Sequence, residues 1–162
     1  MARLVLTDAS PLIGLAIVDG LPWLQRLFGE VWMPAQVRRE VLPGRVARGE
    51  PEIRAGLAAG WLRVWADPVP DHQLPDLDEG EAACIRIALA CPDPVLLLMD
   101  ERAGRGAAAA AGLRVAGTAA VIGMAKRRGL IPSARDVFER LHRSDFRISP
   151  EVIRAVLTRV GE

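Results

Sequence analysis

Two apolar runs in this chain each end on a carboxylate. Arg3-Leu4-Val5-Leu6-Thr7 leads into Asp8, and Val95-Leu96-Leu97-Leu98-Met99 leads into Asp100. An acid buried at such a place is costly unless something neutralises it. Hard divalent cations such as Mg²⁺ or Mn²⁺ do so with oxygen ligands. Two further acids lie among apolar neighbours. Glu81 shares a helix face with Ile85 and Ala88, and Glu40 sits beside Val37 and Val41, so both are expected to turn inward. Asp78 and Glu79 read as solvated caps. Three or four converging carboxylates suit one or two cations, which activate a water and stabilise the departing oxygen of a phosphodiester. That chemistry needs no side-chain nucleophile. Neither His72, in a proline-rich stretch, nor His142, near a helix end, neighbours one in sequence.

The elements that must position these acids alternate. Short, wholly apolar runs read as strands buried on both faces, hence parallel, and parallel strands bind ligands at their carboxyl ends where strand order reverses. Strands are expected at residues 3–7, 31–33, 61–65, 95–99 and 113–116. Ser10-Pro11 starts a helix with a hydroxyl cap and a first-turn proline. Further helices are expected from Leu21, from Pro34, over 50–59, over 78–90, up to Ala111, over 118–128, and at about 133–142 and 149–160. Residues 67–76 carry three prolines and should form a loop. Alternating strands and helices imply a parallel sheet covered on both faces.

With 162 residues, 51% of them hydrophobic, the chain fits one domain over residues 1–162, with the C-terminal helices at about 133–160 packing on it. No run approaches the ~20 apolar residues of a membrane helix, and no signal-peptide pattern opens the chain, so a cytoplasmic location is expected. The net charge is only +1, but every charged residue from Arg102 to Arg135 is basic. A basic half beside an acid cluster suits an anionic polymer, with Arg102 and Arg105 as the nucleic-acid contacts nearest Asp100. Cys84 and Cys91 lie seven apart on one helix, about 10 Å by helical rise, too far for a disulfide. Gly104-Arg105-Gly106-Ala107-Ala108-Ala109 matches a dinucleotide fingerprint in letters alone: four residues separate it from the strand and no ribose-binding acid follows. Its glycines read as points of close helix packing. The four tryptophans suit a core or a subunit contact.

The order of these motifs resembles the PIN-domain family of metal-dependent nucleases. The resemblance is carried by Asp8-Ala9-Ser10-Pro11-Leu12-Ile13, Glu40 within Val37-Arg38-Arg39-Glu40-Val41, Gly80-Glu81-Ala82, Leu98-Met99-Asp100-Glu101-Arg102, Gly117-Thr118 and Lys126-Arg127-Arg128-Gly129-Leu130-Ile131. It is closest to a PIN-like subgroup related to VapC-type toxins. Glu81 stands where many members carry Asp, and Met99 where many toxins have a small polar residue. The resemblance implies a three-layer α/β/α fold with a parallel sheet in the order 3-2-1-4-5. It implies Asp8, Glu81 and Asp100 as metal ligands, Glu40 as a further catalytic acid, and Ser10 as a supporting hydroxyl. It further implies Mg²⁺- or Mn²⁺-dependent cleavage of RNA, a small antitoxin partner and a homodimer. Two other readings remain open. One is a PIN-like module that binds nucleic acid or protein without catalysis. The other is phosphoryl transfer through an aspartyl-phosphate, although Ser10 stands where phosphatases of that kind place a second Asp.

Overall fold

The computed structural model describes every residue except Met1, Arg3 and Pro75. The expected strand start at Arg3 and one proline of the 67–76 loop therefore lie outside the described residues. Five parallel strands form one sheet: β1 (Leu4–Thr7), β2 (Val31–Pro34), β3 (Leu62–Trp65), β4 (Val95–Leu98) and β5 (Arg114–Ala116), in the order β3-β2-β1-β4-β5. The β1–β4 pair runs in register from Leu4 opposite Val95 to Thr7 opposite Leu98. β4 is buried along its whole length, as an apolar run in a doubly covered sheet must be. Leu97 is fully enclosed, so trimming it to Ala should cost about 2–5 kcal/mol.

The helices are α1 (Ala9–Ile17), α2 (Leu21–Phe28), α3 (Ala35–Val41), α4 (Glu50–Ala59), α5 (Glu79–Ala90), α6 (Arg102–Ala110), α7 (Thr118–Arg127), α8 (Ala134–His142) and α9 (Pro150–Val160). Right-handed crossovers fix the layers. The β1-to-β2 and β4-to-β5 connections run in opposite directions across the sheet, so their helices take opposite faces. α5 packs on β1, β2 and β4 beside α6, while α1, α2, α4 and α7 pack together. α8 and α9 pack on α7, where a Cβ on Gly123 would lie 2.9 Å from Val156 Cγ1. Ser133 and Ser149 cap these last two helices through their hydroxyls.

Strand order reverses between β1 and β4, the two strands that end on Asp8 and Asp100. Trp61 is buried, and Trp32 and Trp65 meet edge to face at 5.8 Å with Arg63 over the Trp32 ring. Three of the four tryptophans thus gather around the β2–β3 edge.

Candidate metal centre

Asp8 follows β1 directly and is the N-cap of α1, yet its side chain makes no capping hydrogen bond. Its backbone N–H is donated to Leu98 O at 2.9 Å, which fastens it to the end of β4. The side chain is 3% exposed, and among the described residues Oδ1 has no hydrogen-bond partner. Burial pushes the Asp8 carboxyl up to about 7, and Asp78, Glu81 and Glu40 add repulsion, while the Ala9 backbone N–H offsets part of this. A buried acceptor with an orphaned oxygen is what a cation would satisfy.

Two acids of α5 come to the same place. Asp78 caps the helix and accepts the Glu81 N–H at 2.8 Å, while Glu81 Oε2 accepts the Asp78 N–H at 3.3 Å, a reciprocal capping box. One carboxylate oxygen from each of Asp8, Asp78 and Glu81 lies within 4.8 Å of the others. Glu81 is 3% exposed, on the inward face expected for it. Its carboxyl is raised by burial first and then by Asp78. Asp78 is the member that the sequence reading set aside. It is a cap, as expected, but the same box ties it to Glu81 and so brings it to Asp8. The Asp-x-x-Glu spacing at a helix start was the available signal.

Glu40 does not turn inward as expected: it is exposed. Val37 and Val41 take the buried stripe of α3, and Glu40 falls at its margin. Its carboxyl is still raised, by desolvation and by Asp78, which puts it within electrostatic reach of the cluster.

Asp100 stands outside the three-oxygen group and accepts three hydrogen bonds from other partners. Its Oδ2 accepts the Ser10 hydroxyl at 2.9 Å and the Thr118 hydroxyl at 2.7 Å, and Oδ1 accepts the Thr118 backbone N–H at 2.7 Å. Ser10 is therefore a supporting hydroxyl for Asp100. From sequence, Thr118 was named only within the Gly117-Thr118 motif of the resemblance, with no role given to it. Of the four expected acids, the structure gathers Asp8 and Glu81 into one group, with Asp100 and Glu40 beside it.

Glycines make this crowding feasible. A Cβ on Gly80 would lie 2.9 Å from Asp8 Oδ1, and one on Gly117 2.9 Å from Asp100 Oδ1. One on Gly104 would lie 2.6 Å from Met99 Sδ and 3.0 Å from Glu81 Oε1. Gly104 thus packs closely, as expected for the fingerprint glycines, but Gly106 does not: among the described residues nothing lies within 4 Å of its Cβ position. Met99 is fully buried beneath Gly104.

Arg105, on α6, donates Nη1 to Met99 O at 3.0 Å beside Asp100, and Arg102 is exposed one turn earlier. His72 is exposed, and His142 Nε2 accepts the Ile148 N–H at 3.2 Å. Cys84 and Cys91 are unbridged. Burial, with the charges of Asp8, Asp78 and Glu81, pushes the Cys84 thiol well up, so it stays protonated and apolar.

A family model described as a PIN domain matches residues 4–162. No curated protein and no solved structure matches the chain.

Proposed function

The chain belongs to the PIN-domain family, and from that premise we propose that it is a Mg²⁺- or Mn²⁺-dependent endoribonuclease. The observation that carries this reading is the buried, unpartnered Asp8 Oδ1 facing two further carboxylates at the carboxyl edge of the sheet. The donor set is all oxygen, which suits a hard cation.

Asp8 and Glu81 hold the metal, with Asp78 alongside. Asp100 spends three of its roughly four acceptor positions on Ser10 and Thr118 and keeps one for the cation or a water next to it. When bound, the ion supplies the charge that makes a water nucleophilic and that neutralises the departing oxygen. Glu40, at the solvent edge, orients that water; its raised carboxyl makes it a better proton acceptor than an ordinary glutamate. Ser10 and Thr118 keep the Asp100 carboxylate in one rotamer. Arg102 and Arg105 hold the RNA backbone against the acids.

The family resemblance also supports a toxin role, with a small antitoxin and a homodimer. An inhibitor's Arg or Lys entering the carboxylate group would replace the cation's charge. Light scattering at micromolar concentration tests the dimer, and a monomer counts against it.

No helix among the described residues is long and apolar enough to cross a membrane. The deciding experiment is cleavage of single-stranded RNA with Mg²⁺ or Mn²⁺. Activity should stop with a chelator and be lost in Asp8→Asn and Asp100→Asn while both variants stay folded. Activity retained in both variants overturns the assignment. A chain that neither binds Mn²⁺ nor cuts RNA is the non-catalytic module instead.

A further inference from the structure

Beyond Asp100 the carboxyl edge of the sheet opens into a cleft of about 940 Å³ that runs past Arg102 and Arg105 to α9. One wall is α9, whose Val152, Ala155, Val156 and Arg159 fall at the i, i+3, i+4, i+7 spacing of a single helix stripe. Val152 is left 45% exposed there, although it is a large apolar side chain. Phe146 also lines the cleft; the tip of its ring rests on Gly14, where a Cβ would come within 2.8 Å. The ring is thereby fixed while remaining partly open to solvent.

Around this apolar lining stand Arg102, Arg105, Arg147 and Arg159. None of the four forms an ion pair among the described residues. Two are held by neutral groups. Arg105 donates to Met99 O, and Arg147 Nη1 donates to the carbonyls of His142, Ser144 and Phe146. Carbonyl partners aim a guanidinium without cancelling its charge. The one acid in the lining, Asp100, is occupied by Ser10 and Thr118.

From this juxtaposition we infer that the cleft binds a stretch of single-stranded RNA leading away from the acids, with bases against Phe146 and Val152 and phosphates on the arginine rim. The charge calls for an anionic polymer. The apolar floor calls for unstacked bases, because a duplex hides the base faces that stack on an aromatic ring. That the polymer is RNA rests on the nuclease reading above; the path it follows rests on the cleft.

The test is fluorescence anisotropy with a labelled single-stranded RNA of mixed sequence, in chelator, so that binding is read without cleavage. The combined change Arg102→Gln, Arg159→Gln should weaken binding roughly tenfold at moderate salt and lower the log–log salt slope by about 0.7 per arginine removed. Phe146→Leu should weaken binding and leave that slope unchanged. Val152→Asn, on the exposed side of α9, should do the same and guards against a folding defect at Phe146. A duplex of the same sequence should bind more weakly than the single strand. Affinity and salt slope unchanged in the folded arginine variants overturn the inference. So does a poly-glutamate peptide that binds wild type more tightly than RNA and loses affinity in the same variants. Cleft-dependent binding without cleavage in Mn²⁺ leaves the cleft standing and removes the nuclease reading. Cleavage insensitive to every cleft variant does the reverse.

Discussion

The Asp100 carboxylate closes the amino end of α7 by taking both the backbone N–H and the hydroxyl of Thr118, each at 2.7 Å. The α7 N-cap residue is Gly117, which has no side chain to do this, so an acid from the end of β4 serves instead. A site acid and a helix start are thus one device. Thr118 is fully buried.

Thr118→Val keeps the shape and removes the hydroxyl donor. Stability should fall by about 1.5–3 kcal/mol, the range for a hydrogen bond to a charged group, as read by urea denaturation. Thr118→Ser should recover most of the loss. Equal stability of the Val and Ser variants would show that the hydroxyl does not hold Asp100.

The raised Asp8 carboxyl makes stability without metal depend on pH. Between about pH 4 and 7 the folded chain keeps a proton on Asp8 that the unfolded chain has released, so stability falls as pH rises through that window and then levels off. The displacement from 3.8 to about 7 is worth on the order of 4 kcal/mol. Glu81 and Glu40, also raised, act in the same direction. Asp8→Asn should flatten most of this dependence and raise the melting temperature of the metal-free protein at neutral pH. A wild-type melting temperature that climbs from pH 5 to 7 in chelator contradicts the assignment.

Metal should reverse that trend. Cation binding needs ionised carboxylates, so Mn²⁺ affinity should increase with pH up to about 7, where Asp8 is half ionised. Isothermal titration at several pH values reads this directly. Asp78→Asn should weaken binding while largely preserving the α5 cap, since Asn caps nearly as well as Asp. Undiminished affinity in that variant would remove Asp78 from the centre.

The fingerprint glycines should respond in opposite ways. Gly106→Ala meets nothing within 4 Å and lies inside α6, so it should stabilise the protein by about 0.5–1 kcal/mol. Gly104→Ala would force Met99 and the Glu81 carboxylate to shift and should lower both stability and metal affinity. Thermal denaturation and Mn²⁺ titration of the pair provide the comparison, and a Gly104→Ala protein matching wild type in both would refute the crowding.

The features that the sequence determined alone are short-range. Apolar runs ending on Asp8 and Asp100 gave β1 and β4, the last two helices were expected close to where α8 and α9 lie, and helical periodicity turned Glu81 inward. Each depends on residues within about one helical turn or a few strand positions, where steric and hydrogen-bonding rules act locally. The strand order came from family resemblance, and the register along β1 and β4 bears it out. Only the tertiary structure decided which acids meet. Glu40 lost the inward place because two valines filled the narrow buried stripe of α3. Asp78 gained a place because the α5 cap lands beside the end of β1. Ser10 and Thr118 reach Asp100 across 90 and 18 residues of sequence, and Gly104 and Gly106 are alike as residues but face different neighbours. Such contacts follow from how crossovers stack helices on a sheet, and no local pattern encodes that distance.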